Sequence, residues 1–269
     1  MRYLWYASHN IALQSRLGVS TRRRLNGGAQ MEFVTHGNGV DSHLGFSHDG
    51  EIPEVVIRRL PIYARTLDEL LERGIRTISS NDLADRIGVT AAQIRRDLSY
   101  FGRFGKQGRG YDIAFLVSEI RRILNLTRDW HVALVGFGHL GQAIARYRGF
   151  RESNFRIAAI FDDDPEKIGS FVGAEQLEVL TDERIAEVVA ARGIKIGIVA
   201  VPAPAAQRTA DMLVAGNVAA ILNYAPVVLQ VPDHVCVRDI DPIAQLQSMT
   251  YYLDKTYHRV GTADMAADD

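Results

Sequence analysis

The chain has 269 residues, of which 47% are hydrophobic and 23% are charged, as expected for a globular protein of one large or two modest domains. The formal net charge of -1 provides no overall basic field, so any surface for nucleic acid has to be local. One cysteine excludes a disulfide framework and a cysteine-based metal site, and no apolar run predicts a membrane span. These totals favour a cytoplasmic protein without a membrane or metal partner.

The N-terminal segment, residues 1–51, shows neither helical nor strand periodicity. Its histidines, His36, His43 and His48, lack the spacing of paired metal ligands. Such a composition buries too little apolar surface to offset the entropy of ordering the chain. We therefore predict a disordered extension, with a functional basic arm or a start codon placed too early as alternatives.

A helical pattern opens the next module, which we assign to residues 52–127. Apolar residues recur at steps of three and four along residues 52–74. Pro61 is expected to bend or interrupt this helix, and Gly74 is a plausible stop.

Two short helices follow, joined by a tight turn at Gly88. Ser79 or Ser80 is expected to cap the first helix, and Thr90 the second. The second helix directs apolar side chains inward and keeps polar and basic residues on its other faces, an arrangement typical of a helix-turn-helix whose second helix enters the major groove. The predicted DNA contacts on and beside this helix are Thr90, Gln93, Arg95, Arg96, Ser99 and Tyr100.

A loop with four glycines, residues 102–112, comes next. It is predicted to form a short hairpin, or wing, whose Lys106 and Arg109 reach phosphates or a minor groove. From Arg95 to Arg109 there are five cations and one acid, a local net charge of +4. The order of turn, basic helix and basic loop predicts a winged helix-turn-helix that binds DNA; a solvated basic face is the alternative. A further helix, residues 113–126, is expected to close the module.

The second module, residues 128–240, begins with an apolar strand and the pattern Gly-x-Gly-x-x-Gly. Gly136 allows a tight turn, Gly138 lets the backbone approach a pyrophosphate, and Gly141 lets the helix pack on the strand. The amides and dipole of that helix attract phosphates. A Rossmann-like doubly wound parallel sheet is therefore predicted, although plain scaffolds also contain such turns. The predicted contacts of this loop with a cofactor are Gly136, Phe137, Gly138, His139, Leu140 and Gly141.

An acidic cluster follows the second strand of this module. Asp162 lies at the end of the strand, 21 residues after Gly141, where a carboxylate accepts hydrogen bonds from ribose hydroxyls. With Asp163 and Asp164 it would repel the extra phosphate of NADP, so NAD or NADH is the expected ligand. A helix cap before Pro165 is the alternative role of Asp162.

Two later apolar runs, residues 194–202 and 219–229, are predicted strands of the same sheet. Ligands of open α/β sheets lie outside the carboxyl ends of strands. Cys236, in a last short strand, is expected to be a packed core residue rather than a redox centre. The residues predicted to line the nicotinamide side are Pro202, Asn223, Tyr224 and Ala225.

A long C-terminal helix, residues 241–258, is followed by a tail, residues 259–269, that we expect to be solvated. The helix carries a broad apolar stripe. A helix at the end of a complete sheet needs something to bury that stripe, and a partner subunit is the natural candidate. The stripe consists of Ile243, Leu246, Met249, Tyr252 and Leu253.

Both modules together resemble the bacterial redox-sensing repressor family called Rex. The resemblance covers about residues 52–257 and is carried by RLPIYARTLDEL, TAAQIRRDLSYFGRFGKQGRGY, VGFGHLGQAIARYRGF, FDDDPEKIG, VAVPAPAAQ and ILNYAPVVLQVP. The family has an apolar residue between the two acids after the second strand, where this chain has Asp163. This difference favours Asp162 as the ribose ligand.

The resemblance implies a homodimeric repressor that binds operator DNA when NADH is low. Binding of NADH would rearrange the subunits and release the DNA, with the C-terminal helix exchanged between subunits. The resemblance also implies that Tyr147 takes part in sensing the nicotinamide. A core aromatic on the cofactor helix is the alternative role for Tyr147.

An enzymatic role is disfavoured because a dehydrogenase needs a proton donor or acceptor beside the nicotinamide. None of His131, His139, His234 and His258 stands at a strand end beside a carboxylate in the sequence pattern. No segment is left to build a substrate domain. A sensor of NADH and NAD+ is therefore favoured, with two alternatives: a repressor that senses another nucleotide, such as a coenzyme A derivative, and an NAD-dependent oxidoreductase.

Overall fold

The computed structural model describes the chain in three ranges, residues 52–106, 110–173 and 175–264. For Lys106 and residues 254–264 it describes the backbone alone. The predictions that lie outside the described residues concern the N-terminal extension, Arg109 and the end of the tail.

The described chain divides into two units, one ending at Thr127 and the other beginning at Arg128. The first unit contains four helices and a small antiparallel sheet in its described part. Its strands lie in the order β1-β3-β2, so the predicted wing is a β2–β3 hairpin packed beside β1. The elements are α1 (Glu54–Glu72), β1 (Thr77–Ile78), α2 (Ser80–Ile87), α3 (Ala91–Ser99), β2 (Gly105–Lys106), β3 (Gly110–Asp112) and α4 (Ile113–Ile123).

Helix α1 runs without a break through Pro61, so the predicted interruption is wrong. Pro61 is exposed, whereas Leu60 and Leu67 are completely buried against the other helices. Apolar packing on both sides of the proline therefore outweighs the loss of one helical hydrogen bond. The predicted stop is confirmed: Gly74 has φ +78° and donates its amide to Leu71.

The second unit is a sheet of seven strands with helices between them. The strand order is β10-β9-β8-β4-β5-β7-β6, and every neighbouring pair is parallel except β6 with β7. The elements are β4 (Trp130–Val135), α5 (His139–Arg146), α6 (Arg148–Glu152), β5 (Phe155–Asp162), β6 (Phe171–Val172), β7 (Leu177–Thr181), α7 (Ile185–Ala191), β8 (Ile196–Val199), α8 (Ala203–Ala215), β9 (Ala220–Asn223), β10 (Cys236–Asp239) and α9 (Pro242–Asp264).

Strand β4 lies in the middle of the sheet, and its successive side chains are buried on opposite faces. Val132 and Leu134 belong to one apolar cluster, and Ala133 and Val135 to another. From β4 the chain first builds β5 and β7 on one side, then returns to build β8, β9 and β10 on the other. The order of winding thus reverses between β4 and β8, which is where doubly wound sheets open a crevice for ligands. The predicted Rossmann-like fold is confirmed.

The prediction that Cys236 is a packed core residue is wrong. That residue is exposed at the start of β10, which is the edge strand beside β9 in the described part of the chain. The apolar position at this place is taken by the preceding residue, Val235, which is buried.

The C-terminal helix α9 leaves its apolar stripe exposed in the single chain. Ile243, Leu246 and Leu253 are each more than half exposed, and Met249 is half-buried. No helix in the described ranges is both long enough and apolar enough to cross a membrane.

The glycine loop provides a test of the fold. A Cβ atom on Gly141 would lie 1.9 Å from the carbonyl oxygen of Gly136, whereas a Cβ on Gly138 would have nothing within 4 Å. We expect Gly141→Ala to lower the free energy of unfolding by about 1–3 kcal/mol, as overpacking does, and the control Gly138→Ala to leave it almost unchanged. Urea unfolding followed by circular dichroism measures both, and equal midpoints would contradict this packing.

Candidate DNA-reading helix and cofactor crevice

The two helices of the helix-turn-helix are capped as the sequence predicts. Ser79, rather than Ser80, caps α2 by accepting a hydrogen bond from the amide of Asp82 at 3.1 Å. Thr90 caps α3 by accepting one from the amide of Gln93 at 3.1 Å. Between them Gly88 has φ +78°, a left-handed conformation that glycine adopts without strain. The start of α3 is therefore fixed by local chemistry.

Helix α3 presents three of its predicted DNA contacts to solvent. Arg95, Arg96 and Ser99 are exposed. The guanidinium of Arg95 donates to the hydroxyl of Ser80 at 2.8 Å, so it lies across the start of α2. A groove of about 510 Å³ separates this face of α3 from the wing and is lined in part by Arg103.

The buried side of α3 holds an ionic cluster that sequence reasoning missed. Asp97 has no exposed surface, and the Nε and Nη2 atoms of Arg59 donate to its two oxygens at 2.5 and 2.7 Å. The hydroxyl of Tyr63 donates to the same carboxylate at 2.6 Å. The side-chain nitrogen of Gln93, Nε2, donates to it at 2.7 Å. The Gln93 side chain is therefore half-buried and bound to Asp97, and its predicted contact with DNA stays a prediction.

The cluster keeps its donors protonated. Burial lowers the pKa of Arg59, but the hydrogen bond and the charge of Asp97 outweigh this and raise it overall. Burial raises the pKa of Tyr63, and the hydrogen bond to Asp97 raises it further. Neither Arg59 nor Tyr63 therefore loses its proton near neutral pH.

In the glycine loop between β4 and α5, one of the three glycines has free space where a side chain would stand. Gly136 has φ +94°, and a Cβ atom on it would lie 2.5 Å from the carbonyl oxygen of Ala200, in the loop after β8. Gly141 is needed because it contacts Gly136 itself. Gly138 alone has free space where a side chain would stand, directly before the first turn of α5. The fold requires two of the three glycines, whereas the third suits a ligand that approaches the backbone.

Asp162 holds this loop in place. One of its oxygens accepts a hydrogen bond from the amide of Phe137 at 2.5 Å, and the other accepts from the amide of Asp164 and from the Lys167 ammonium, each at 3.0 Å. The hydrogen bond to Asp162 raises the pKa of Lys167. The pKa of Asp164 is lowered by the amide of Glu166 and then by Lys167. Asp162 thus has a structural role besides the predicted contact with ribose.

The residues predicted to line the nicotinamide side differ in their burial. Asn223 has no exposed surface, and its amide nitrogen donates to the carbonyls of Ala225 and Val227 and to the carboxylate of Asp239. The Asn223 side chain therefore braces the loop after β9, and its contact with a cofactor stays a prediction. Ala225 is buried as well. Tyr224 is half-buried, and burial raises its pKa.

Besides Gly138, three predicted cofactor contacts are exposed around the crevice. His139 and Leu140, in the first turn of α5, are exposed, and so is Pro202 at the start of α8. Within the described ranges no group of three His, Cys, Asp or Glu residues could hold a metal ion.

Tyr147 lies at the junction of α5 and α6 and is 67% exposed. Its ring packs edge-on against Phe150, with 5.9 Å between the ring centroids. The alternative in which Tyr147 is a core aromatic is therefore wrong.

Both modules match known protein families. Residues 51–99 match a family model described as "Putative DNA-binding protein N-terminus", and residues 127–227 match one described as "CoA binding domain". A relative from Roseiflexus sp. (strain RS-1), named "Redox-sensing transcriptional repressor Rex", is 57% identical over 203 residues, which are 76% of this chain and 91% of the relative. The chain belongs to the Rex family. The predicted resemblance is thereby confirmed.

Solved structures agree with this Rex assignment. The structure of RSP in complex with beta-NAD+ and operator DNA is 37% identical, has a TM-score of 0.73, and covers 82% of this chain and 100% of its own. The structure of RSP in complex with beta-NADH is 36% identical, has a TM-score of 0.70, and covers 80% of this chain and 100% of its own. The similarity therefore spans both units of this Rex chain.

Proposed function

We propose that this chain is a transcriptional repressor that senses the balance between NADH and NAD+, binding operator DNA when NADH is low and releasing it when NADH binds. The observation that carries the proposal is that one chain combines a capped helix-turn-helix with a glycine loop left open at Gly138, at the point where the winding of the sheet reverses. The Rex-family protein RSP, whose fold this chain shares, is known in complexes with both nucleotides and with operator DNA.

The DNA contacts are proposed to divide by kind. The exposed residues of α3 read base edges in the major groove, whereas the cations of the wing bind phosphates irrespective of sequence. The proposed set is Thr90, Gln93, Arg95, Arg96, Ser99, Tyr100, Lys106 and Arg109.

The pyrophosphate of the cofactor is proposed to lie over Gly138, at the N-terminus of α5, where backbone amides and the helix dipole favour anions. His139 and Leu140 flank this place. Asp162 fixes the loop through Phe137 and would accept a hydrogen bond from the ribose with its remaining lone pair.

The sensing step has to favour NADH over NAD+. The two differ by a hydride and by the positive charge of the oxidised ring. Apolar surface near Pro202 and Tyr224 would favour the neutral ring, because desolvating a cation costs free energy. Tyr147, exposed beside the cofactor helix, is the proposed switch residue.

No catalytic step is proposed for this chain. The curated relative is named as a transcriptional repressor, and we propose that this chain acts likewise as a regulator in the cytoplasm. Binding and release of NADH, rather than its oxidation, then constitute the signal. A coenzyme A derivative is the second candidate ligand, because the family model that matches residues 127–227 is described as a CoA binding domain.

The working form is proposed to be a homodimer joined through α9. The stripe on α9 is exposed in the single chain, and paired half-sites on DNA require two recognition helices related by a two-fold axis. A second copy would bury the stripe and supply the second helix.

The ligand site is tested by Gly138→Val, which fills the open space without disturbing the fold. We expect the variant to bind operator normally but to require at least about 10-fold more NADH for its release from operator. The reason is that overpacking of the ligand site costs about 1–3 kcal/mol of binding free energy. Fluorescence anisotropy of labelled operator, titrated with NADH, NAD+ and coenzyme A, measures this. Ala143→Val, on an exposed position of α5, is the control. Release of the Gly138 variant at the wild-type NADH concentration would place the ligand elsewhere.

The division of DNA contacts is tested with Lys106→Ala and Arg95→Ala. The first should weaken binding to all sequences and reduce the salt slope by about one, whereas the second should cost about 1–3 kcal/mol on operator and little on random DNA. Arg122→Ala removes an equal charge from α4, where Arg122 pairs with Glu119, and is the control. Equal losses on operator and random DNA from both test variants would refute the assignment of α3 as the reading helix.

The dimer is tested by Leu246→Glu, which places a charge in the exposed stripe. We expect a monomer by sedimentation, and a loss of operator affinity of about 10-fold or more, because a buried charge without a partner is costly at an interface. Gln245→Glu adds the same charge at an exposed position of the same helix and should leave the dimer intact. A stable Leu246→Glu dimer with full operator affinity would exclude α9 as the joining element.

A further inference from the structure

The buried cluster around Asp97 joins the recognition helix α3 to the scaffold helix α1. We propose that Asp97 is a positioning residue for operator recognition, which fixes the rotation and axial position of α3 on α1 and the orientation of the Gln93 side chain. The proposal rests on the proposed function, since it concerns how the DNA-reading helix is held.

Apolar contacts alone do not fix the position of α3 in this way. Ile94 and Leu98 bury its inner face, but hydrophobic contact has no preferred direction. The fork of Arg59 instead meets both oxygens of Asp97, so it fixes the plane of the carboxylate. Tyr63, one turn further along α1, adds a third hydrogen bond to the same group.

Stability is a poor explanation for this cluster. A buried ion pair loses the hydration of both charges, and apolar residues of similar volume often give equal or greater stability. The arrangement of three donors on one helix and a single acceptor on the other provides direction instead. We infer that the cluster contributes geometry to α3 rather than free energy to the fold.

Gln93 carries this geometry to the DNA-facing surface. Its side chain donates to Asp97 with one N–H, so its carboxamide has a defined orientation before any DNA arrives. The oxygen and the second N–H are then left for a base edge, and an oxygen and an N–H together are what glutamine uses to contact adenine. Sequence preference would thus depend on Asp97, although Asp97 is buried and does not contact DNA.

The test replaces the cluster with apolar residues in the variant Arg59→Met/Tyr63→Phe/Asp97→Leu. Urea unfolding measures its stability, and anisotropy measures its affinity for operator and for random DNA over a range of salt concentrations. We expect unfolding at the wild-type urea concentration or above, an unchanged affinity for random DNA, and a ratio of operator to random affinity reduced about 10-fold. A folded variant with the wild-type ratio would overturn the proposal.

A milder variant keeps the test decisive if the triple variant does not fold. Tyr63→Phe removes one hydrogen bond to Asp97 and keeps the buried ring, and we expect it to lower the ratio about twofold to fivefold. The control is Asp68→Asn/Arg121→Gln, which removes an exposed ion pair between α1 and α4, in which Nη2 of Arg121 lies 3.0 Å from Oδ2 of Asp68. This control should leave the ratio of operator to random affinity unchanged. A Tyr63→Phe ratio equal to that of the control would also overturn the proposal. Wild-type protein without operator preference would instead refute the proposed function itself.

Discussion

The hydrogen bond from the amide of Phe137 to Asp162 is the contact on which the cofactor crevice depends. It joins the loop after β4 to the end of β5, while Gly136 brings the same loop against the backbone of Ala200 after β8. Three neighbouring strands are thereby tied together at one edge of the sheet. The first turn of α5 then points its amides at free space beside Gly138. The proposed phosphate site is thus ordered before any ligand arrives, so binding of a nucleotide would not require the loop to be ordered first.

A site built in this way accounts for binding but not for a response. A ligand shifts an equilibrium only as far as its affinities for the two states differ. The proposed response therefore requires two arrangements of a dimer that differ in the spacing of their recognition helices. In the proposed dimer the exposed stripe of α9 would join the two copies. The cluster around Asp97 joins α3 to α1, and as proposed it would carry a movement of the whole module to the recognition helix.

Local chemistry could be predicted from the sequence, whereas distant pairings could not. The caps at Ser79 and Thr90 and the glycine loop depend on residues a few positions apart, and the structure bears them out. Arg59 and Asp97 are 38 positions apart, so the sequence showed only one acid on a basic helix. The burial of Asn223 was missed for the same reason, since its partner Asp239 comes from the next strand. Direct contacts with cofactor and DNA stay predictions, because they involve molecules outside this chain.

The central claim is that one chain couples nucleotide binding to DNA binding, and thermodynamic linkage gives the most direct measurement of it. If NADH weakens operator affinity by some factor, operator must weaken NADH affinity by the same factor. Titration calorimetry of the full chain with NADH, in the presence and absence of saturating operator, measures the second factor, and anisotropy measures the first. The account predicts equal factors of about 5 to 150, the usual range of allosteric coupling. An NADH affinity unchanged by operator would contradict it.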